Sequence, residues 1–307
     1  MTLQQLRQVL TIAESNSMNE AAKKLFVSQP NLSATVREVE EELGITVFMR
    51  NNRGITVTAE GEEFLGYAKQ VVEQYHLLEN RYLNVESKKK FSVSMQHYSF
   101  AVKAFVQLAK EVGMDEYEFA VHETKTKEVI DNVKNLKSEI GVLYLSDFNE
   151  KVLRKLFKEC DIEFKELFTC NTYVYLWKKH PLAGQKEITL DDLQEYPCLT
   201  FEQGVNNSFY YAEEMMSTYE YKRVIKADDR ATMLNLMVGL NGFTLCSGII
   251  SEDLNGDDYA AIPLKESEKM HIGYIKHKGT KLSKLGEIYI DAVSYTHLRA
   301  HETGRNL

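Results

Sequence analysis

Apolar side chains recur every three or four residues through the first 43 positions, which is the spacing of helices that bury one face. The segment MNEAAKKLFVSQPNLSATVREVEEELG, residues 18–44, fits two such helices joined by a short turn. Ser28 supplies a hydroxyl N-cap, Pro30 is tolerated in a first turn, and Gly44 can adopt the left-handed conformation that ends a helix. The pattern predicts helices over residues 3–14, 18–25 and 29–43.

Short alternating segments replace the helical spacing between residues 47 and 57. The segments VFMR and ITV flank the turn-prone NNRG, which predicts a small β-hairpin. Three helices followed by a hairpin form a winged helix-turn-helix. We therefore predict a DNA-binding domain over residues 1–58.

A long helix is predicted to follow, with Thr58 as its N-cap and a seam of apolar side chains spaced alternately four and three residues apart. The seam residues are Phe64, Ala68, Val71, Tyr75, Leu78, Tyr82 and Val85. Their mean spacing of 3.5 favours a left-handed coiled coil with another helix. We predict a linker helix and hinge over residues 59–90 that pairs two subunits; the alternative is a helix packed on its own domain.

From Phe91 onward, short apolar runs alternate with helical stretches, which predicts β-α-β units and a largely parallel sheet. The predicted strands are FSVSM (91–95), YEFAVH (117–122), IGVLYL (140–145), IEFKELF (162–168), TYVYLW (172–177), PCLTF (197–201), GFTLC (242–246) and HIGYIKH (271–277). The predicted helices span 99–112, 124–138, 189–195, 206–217, 229–240 and 281–292. The fold class is α/β overall, with two small α/β lobes after the long helix.

The last stretch, SYTHLRAHETGRNL, does not continue the helical pattern before it. It resembles translated vector sequence, so we predict a non-native tail over residues 294–307. The alternative is a polar tail.

Composition changes this interpretation little. The formal charge of the chain is -8, but residues 1–58 hold six basic and six acidic side chains, so this segment can still bind a polyanion through a few placed cations. No apolar run approaches the roughly 18 residues that cross a bilayer, and no signal peptide begins the chain. We expect a cytoplasmic protein without membrane contact.

Enzyme and metal motifs are missing. His122 and Glu123 begin HETKT, which lacks the second histidine of the zinc motif HExxH, and no GxSxG, P-loop or GxGxxG pattern occurs. The four cysteines form no CxxC pair, which favours reduced, buried thiols. We expect no catalytic residues, no metal and no cofactor.

The third helix has an unusual outer face. Leu32, Val36, Val39 and Leu43 cluster on one side. The opposite side holds Pro30, Ala34, Arg37 and Glu38, flanked by Asn31 and Ser33. Small residues allow close approach to a surface, and Ser, Asn, Gln and Arg can then read base edges in a major groove about 12 Å wide. A solvated helix face is the alternative, as it is for Lys23 and Lys24, which can otherwise contact phosphates.

The segment AAKKLFVSQPNLSATVREVEEELGITVFMRNNRGITVTAEG resembles the N-terminal signature of the LysR-type transcriptional regulators. The match covers the AAxxL helix, the SQPxLS start of the recognition helix, the ELG end, the wing, and the entry to the linker helix. The resemblance implies a homodimer or a homotetramer, a linker helix that pairs subunits, and a C-terminal effector domain similar to periplasmic binding proteins. On this basis we predict an effector domain over residues 91–293, with lobe 1 at 91–168 and 265–293 and lobe 2 at 169–264.

Residue roles carry over from the resemblance. The positions that face DNA are Ser28, Gln29, Pro30, Asn31, Ser33, Ala34 and Arg37, with Arg50 and Arg53 in the wing. Ala34 stands where many relatives have a longer polar side chain.

The effector of related regulators lies between two lobes, at strand ends and helix starts where free backbone amides favour carboxylates. The corresponding residues are Ser94, Gln96, His97, Glu123, Thr124, Tyr144, Thr200, Phe201, Cys246 and Ser247. Gln96 and His97 can instead pack under the junction of the lobes. Cys198 and Cys246 are an alternative redox pair, although the sequence around them does not resemble that of peroxide-sensing relatives.

Two hypotheses follow. The first is a transcriptional regulator that binds an interrupted palindrome in double-stranded DNA, responds to a small-molecule effector, and has RNA polymerase as a further partner. The second is a solute-binding or catalytic α/β domain whose helical N-terminus contacts a partner protein.

Overall fold

A computed structural model gives the fold. It describes residues 1–15, 17–51, 54–82, 88–113, 116–206 and 208–303, with the side chains of 50, 51, 54, 80–82, 252 and 297–303 left out of the description. The chain forms two compact units, residues 1–87 and 88–307. Each unit is described by itself.

The first unit contains three short helices, a hairpin and a long helix. Their bounds are α1 Leu3–Ala13, α2 Met18–Lys24, α3 Gln29–Leu43, β1 Phe48–Asn51, β2 Gly54–Val57 and α4 Ala59–Tyr82. The predicted bounds of α1, α2 and α3 are confirmed to within one residue, and the predicted hairpin is confirmed by the antiparallel pairing of β1 with β2.

Short polar side chains begin these helices. The hydroxyl of Thr2 accepts the Gln5 N–H at 3.2 Å while the Gln5 side chain accepts the Thr2 N–H at 2.8 Å, which completes a capping box. Ser28 accepts the Asn31 N–H at 3.4 Å, and Gly44 ends α3 with φ 69°. The capping predicted at Ser28 and Gly44 is confirmed.

The core of the helical unit lies between α1, α2 and α3. Val9, Ile12, Leu32 and Val39 are fully buried there. Leu43, which we predicted on the same side as Leu32, is 37% exposed. It lies in the last turn of α3, where the neighbouring helices no longer cover it.

Helix α4 packs along α1, and this corrects the predicted coiled-coil seam. Phe64 and Ala68 pack with Leu6 and Val72 inside the unit, and Ala68 is only 2% exposed. These two seam residues therefore cannot also face a second subunit. The remaining described seam side chains, Val71, Tyr75 and Leu78, are exposed; the Tyr82 side chain and Val85 lie outside the described residues.

Gly61 allows α4 to start close to the hairpin. A Cβ atom at this position would lie 2.4 Å from the carbonyl oxygen of Val47, which is closer than any real contact. The Thr58 hydroxyl accepts the Gly61 N–H at 2.9 Å, as expected for the predicted N-cap. The first turn of α4 and the entry to β1 are thereby held together.

The second unit alternates strands and helices. In chain order it contains β3 Lys89–Met95, α5 Ser99–Val112, β4 Tyr117–Glu123, α6 Thr126–Lys134, β5 Ile140–Leu145, α7 Glu150–Glu159, β6 Ile162–Asn171, β7 Tyr173–Trp177, β8 Cys198–Phe201, β9 Val224–Ala227, α8 Arg230–Leu240, β10 Thr244–Cys246, α9 Glu252–Asn255, β11 Tyr259–Pro263, β12 Lys269–His277 and α10 Lys284–Thr303.

Lobe 1 is a five-stranded sheet in the order β4-β3-β5-β12-β6, with helices on both faces. One face packs against α5 and α10 through residues such as Phe91, Leu108 and Tyr289, and the other packs against α6 and α7 through Val129 and Phe157. Strand β5 is buried along its whole length, which explains its unbroken apolar sequence.

The predicted largely parallel sheet has one exception in this lobe, the antiparallel strand β12. Strand β3 is parallel to β4 and β5, but β12 is antiparallel to both β5 and β6. The chain enters β12 from the other lobe and runs back across the sheet. Alternation of apolar and polar residues predicts a strand, but it does not indicate whether that strand runs parallel or antiparallel to its neighbours.

Lobe 2 contains an antiparallel three-stranded sheet, β10-β7-β11, and a parallel pair, β8-β9. Its core includes the buried side chains of Val174, Phe243 and Ile262, with Met237 of α8 in a second cluster. Two short connections join the lobes, after β6 and before β12. Thr172 ties them together, because its N–H donates to the Ser267 hydroxyl at 2.8 Å.

Three predicted helices differ from the structure. The described part of residues 206–217 contains only a 3-10 turn at Phe209–Tyr211, and residues 189–195 contain one at Asp192–Glu195. The carbonyl oxygens of Tyr211 and Ala212 accept bonds from side chains of lobe 1, so they are not available to a helical ladder. Helix α10 runs to Thr303, past the predicted end at 292, since no Pro or Gly stands between residues 292 and 304.

The pattern also missed α7, α9, β9 and β11. Helix α7 has the sequence EKVLRKLFKE, in which few apolar residues stand among many charges. Strands β9 and β11 are only four and five residues long. Such short runs give too few positions for a period to be recognised.

Candidate functional sites

The outer face of α3 is exposed and carries small and polar side chains. Pro30, Asn31, Ala34 and Arg37 are exposed, as is Ser28 just before the helix. Gln29 and Ser33 are partly buried, and the Gln29 amide donates to the Ser33 hydroxyl at 2.8 Å. The structure thus brings together on one surface the residues of α3 predicted to face DNA. Their side chains are short, so their hydrogen-bonding groups lie close to the helix backbone.

The acidic half of α3 is engaged within the same unit. Glu38 accepts the Gln5 amide at 2.9 Å, and one Glu40 oxygen accepts the N–H groups of Val47 and Phe48 at 2.7 and 3.0 Å. Glu40 therefore positions the start of the hairpin relative to α3. These contacts engage the carboxylates of α3 within the unit, away from the exposed polar start of the helix.

The two arginines predicted in the wing are only partly described. The backbone of Arg50 pairs with Ile55 across the hairpin, but its side chain and the whole of Arg53 lie outside the described residues. Among the lysines left open by the sequence, Lys24 pairs with Glu20 at 2.9 Å. Lys23 is exposed.

Phe26 is an exposed residue that the sequence analysis did not single out. It lies in the turn between α2 and α3, has φ 53°, and is 96% exposed. A bulky residue in a left-handed conformation is unusual for a tight turn and is the signal that marks it. Its ring lies two residues before Ser28, beside the candidate DNA surface.

An apolar stripe remains exposed on α4. It consists of Tyr67, Val71, Tyr75 and Leu78, of which Val71 and Leu78 are 51% and 57% exposed. The guanidinium of Arg7 lies 5.4 Å from the centre of the Tyr75 ring. We call these four residues the α4 stripe; it is the part of the predicted seam that the unit itself does not bury, with Tyr67 added.

A cavity of about 80 Å³ lies between the lobes of the second unit. Lobe 1 contributes the segment His97–Phe100 and Met270, and lobe 2 contributes the rest of the wall. The lobe 2 residues are Tyr175, Phe201, Glu213, Glu214, Arg230, Met233, Leu234, Thr244, Leu245, Cys246, Ser247, Ile249, Ile250 and Asn255. We refer to it as the interlobe cavity.

Glu213 connects the two lobes at the cavity wall. One of its carboxylate oxygens accepts the His97 N–H at 2.9 Å and lies 2.8 Å from His97 Nδ1, and the other accepts the Gln203 amide at 2.9 Å. The His97 ring stacks on Phe201 with 3.7 Å between ring centres. A carboxylate of lobe 2 therefore accepts the hydrogen bond of the His97 backbone N–H, which lies just before α5.

Glu214 is equally buried but has a different environment. It accepts the Phe201 N–H at 2.8 Å. Burial, and then the neighbouring Glu213 carboxylate, raise the pKa of Glu214 to about 8. A second charged contact across the lobes joins Glu123 to Arg230, whose Nε donates at 3.0 Å.

Four of the ten residues predicted to bind the effector line the interlobe cavity: His97, Phe201, Cys246 and Ser247. Gln96 is instead buried in a network under the lobe junction, where its side chain accepts from the Tyr98 hydroxyl at 2.8 Å and donates to Thr126 at 2.6 Å. This is the packing role that the sequence analysis gave as an alternative for Gln96.

The other five predicted residues do not line this cavity. Ser94 is buried against Ser138 at 2.8 Å, Thr124 bonds to Glu128, and the Tyr144 hydroxyl donates to the Ala212 carbonyl at 3.1 Å. Glu123 is paired with Arg230, and Thr200 lies in β8 opposite Lys226. The ends of the predicted strands indicate the correct edge of the sheet. They do not indicate which side chains point into the interlobe cavity.

Sequence reasoning missed Glu213, Glu214, Arg230 and Thr244. Glu213 and Glu214 lie within the helix predicted over residues 206–217. Acidic residues are common on helix surfaces, so these two gave no signal of a site. Arg230 follows two aspartates, and Asp229 caps α8 by accepting the Thr232 N–H at 2.9 Å. An arginine placed directly after a capping aspartate was the one available signal.

All four cysteines are free in the structure; Cys160, Cys170 and Cys198 are buried, and Cys246 is partly buried. Burial raises the pKa of Cys246 to about 12, which makes its thiolate scarce at neutral pH. Within the described ranges, no helix has the length and apolar character to cross a bilayer.

Comparisons with known proteins agree with this division. A family model for the bacterial regulatory helix-turn-helix protein of the LysR family matches residues 3–62, and one for the LysR substrate binding domain matches residues 96–294. The HTH-type transcriptional regulator CysL of Bacillus subtilis is 25% identical over 297 residues, which is 93% of this chain and 94% of CysL.

Two solved structures have a similar fold. A full-length OxyR variant from Pseudomonas aeruginosa gives a TM-score of 0.68 at 19% identity, covering 95% of this chain and 94% of its own. Full-length CbnR, solved with its target DNA, gives 0.59 at 18%, covering 96% and 100%. Since the matched family consists of regulators, the prediction that the chain is not an enzyme is confirmed. The chain belongs to the LysR family of bacterial transcriptional regulators, with an N-terminal DNA-binding domain and a C-terminal effector-binding domain.

Proposed function

We propose that this regulator reads an interrupted palindrome as a homodimer or homotetramer, with α3 of each DNA-binding unit in a major groove. Half-sites would lie about 34 Å apart, or a multiple of that distance, to match the helical repeat of DNA. The relative CbnR has been solved with its target DNA, which supports this mode of binding. The site of action is then the cytoplasm, and RNA polymerase is a further partner.

The observation that carries the proposal is the exposed start of α3. Ser28, Asn31 and Arg37 are exposed on one side, while Leu32 and Val36 bury the other. Short polar side chains on a slim helix match the width and the donor and acceptor pattern of the major groove. An arginine can bond guanine with two N–H groups at once.

The first prediction is that Arg37→Ala weakens binding to the operator by about 1 to 3 kcal/mol and lowers the preference for operator over scrambled DNA. A fluorescence-anisotropy titration at fixed salt, with the chain's own upstream region as the operator, measures both. Arg37 is exposed, so the melting temperature of the variant should match that of the wild type.

Lys151→Ala is the matched control, because Lys151 is an exposed cation on α7 in the other unit. It should leave affinity and preference unchanged. If Arg37→Ala discriminates between the two DNAs as well as the wild type does, α3 does not read bases through Arg37. A protein with no salt-dependent affinity for any duplex would favour the partner-contact hypothesis instead.

We also propose that the effector binds in the interlobe cavity and shifts the balance between arrangements of the two lobes. Such coupling requires that the effector bind the two arrangements with different affinity. The support is that residues of both lobes line the cavity: His97 comes from lobe 1, and Phe201 and Glu213 come from lobe 2.

A further inference from the structure

We infer that the interlobe cavity takes a small organic ammonium ion, carried on an apolar body, and not a carboxylate. The inference rests on the proposed function, in which this cavity holds the effector. It concerns only the chemical class of that effector.

The first support is that the backbone donors at the lobe junction are already occupied by the chain's own side chains. The His97 N–H donates to Glu213 at 2.9 Å, the Thr126 N–H to Gln203 at 3.1 Å, and the Tyr144 N–H to Gln96 at 3.2 Å. Free amides at these places are what would bind a carboxylate ligand. An anionic effector therefore meets no vacant donor among them.

The second support is the balance of charge around the cavity. Glu213 and Glu214 both line it and are each only 6% exposed. The two cationic or potentially cationic groups of the wall are engaged: His97 with Glu213, and Arg230 with Glu123. Glu214 forms no ion pair with any residue that the structure describes.

A buried carboxyl group without a cation beside it keeps its proton, so a cation bound next to Glu214 would favour its ionised form. The raised pKa of Glu214 agrees with this, because its ionised form has no cation beside it. An ammonium group bound next to Glu214 would supply one and stabilise the ionised carboxylate.

An independent observation is a buried hydroxyl without a partner. Thr244 lines the cavity and is 6% exposed, and its Oγ1 atom has no hydrogen-bond partner among the described residues. Buried polar atoms in native proteins are nearly always paired. A ligand with a donor group in the cavity would satisfy this oxygen as well as Glu214.

The rest of the wall suits an apolar body attached to a cation. Tyr175 and Phe201 contribute aromatic rings, and Met233 and Leu245 contribute aliphatic surface. Aromatic rings attract ammonium groups electrostatically, and apolar contact favours the carbon chain. The cavity of about 80 Å³ limits the ligand to a few carbon atoms unless the lobes move apart.

Three four-carbon probes test the inference on the full-length protein: n-butylammonium chloride, 1-butanol and sodium butyrate, at equal ionic strength and pH 7.5. A ligand that binds the native state raises the melting temperature. We expect n-butylammonium to raise the effector-unit transition by about 2–4 °C at several times its Kd. We expect 1-butanol and butyrate to raise it less or not at all.

Glu214→Gln removes the charge and keeps an oxygen that can accept the Phe201 N–H, so the variant should fold. It should lose the shift with n-butylammonium, while Glu187→Gln, an exposed carboxylate of lobe 2, should keep it. The ranking of the three probes on the unaltered protein does not depend on either variant.

The inference is overturned if butyrate gives the largest shift, if n-butylammonium gives none, or if its shift survives unchanged in Glu214→Gln. DNA binding is measured separately by gel shift without any probe. Loss of DNA binding with the ammonium preference intact would contradict the proposed function alone. DNA binding with a butyrate preference would contradict this inference alone.

Discussion

At the scale of single residues, two adjacent carboxyl groups of lobe 2 have opposite environments. Glu213 receives the His97 N–H and the Gln203 amide and contacts the His97 ring, whereas Glu214 receives the Phe201 N–H at 2.8 Å. Burial, and then the adjacent Glu213 carboxylate, raise the pKa of Glu214.

This asymmetry predicts how stability depends on pH. The pKa of Glu214 rises from an ordinary 4.5 to about 8 in the folded protein. Between these values the folded state holds a proton that the unfolded chain has released, so the free energy of unfolding falls as pH rises. The slope contributed by this group is up to about 1.4 kcal/mol per pH unit.

Glu214→Gln should remove that slope, so that the variant gains on the wild type as pH rises from 5 to 8. Urea unfolding followed by the fluorescence of Trp177, the single tryptophan, reports on the effector unit. Glu187→Gln should follow the wild type. Equal pH slopes for the wild type and Glu214→Gln would show that Glu214 is ionised throughout this range.

At the scale of elements, helix α4 serves two purposes with neighbouring faces. Ala68 and Val72 pack into the core of the DNA-binding unit, whereas Val71 and Leu78 of the α4 stripe remain exposed. Exposed apolar side chains at spacings of three and four are what a second helix covers in a coiled coil. We therefore retain the prediction of pairing, but for fewer residues than the sequence suggested.

Leu78→Glu should break the dimer, because it places a charge in the centre of an apolar interface while leaving the packing on α1 untouched. Size-exclusion chromatography with light scattering measures the mass. Glu73→Lys, on the opposite side of α4, is the control and should remain dimeric. An unchanged mass for Leu78→Glu would remove the α4 stripe from the interface.

The elements that sequence could predict are those whose signals are local. Capping residues and a period of 3.6 were sufficient for α3 at Gln29–Leu43, and the period alone was sufficient for α5 at Ser99–Val112. The helix predicted over residues 206–217 is absent from the described part of that range. The carbonyls of Tyr211 and Ala212 accept hydrogen bonds from lobe 1 instead, and these contacts join positions far apart in sequence.

The candidate sites divide in the same way. The residues of α3 predicted to face DNA share one surface because they belong to one helix. The effector residues come from many strand ends, and only the packing of the two lobes decides which side chains reach the cavity. That is why Phe201 was found while Glu213 and Thr244 were missed.

At the scale of the effector unit, ion pairs join the two lobes across their junction. Arg230 pairs with Glu123, Lys125 lies 3.4 Å from Asp228, and Lys103 lies 2.6 Å from Asp253. The first of these pairs is the least exposed, so solvent and salt screen it least. Separation of the lobes would expose all of them to water.

Glu123→Gln should make lobe opening easier by about 1 kcal/mol, or about five-fold in population, because Arg230 loses its charged partner. Hydrogen–deuterium exchange should rise at the start of α8 and at the end of β4. Glu118→Gln, an exposed neighbour on the same strand, should not change exchange at α8. Unchanged exchange in Glu123→Gln would mean that this pair does not hold the lobes together.

The double use of α4 has a consequence for the spacing of any operator. Each residue of an α-helix turns the chain by about 100°, and the same helix packs on α1 and, in the proposed dimer, would contact the second copy. One extra residue after Val72 would leave each DNA-binding unit folded but would rotate it by about a quarter turn relative to the same unit of the second copy. Seven extra residues would restore the original rotation. We therefore expect natural insertions in α4 to be seven residues long or a multiple of seven.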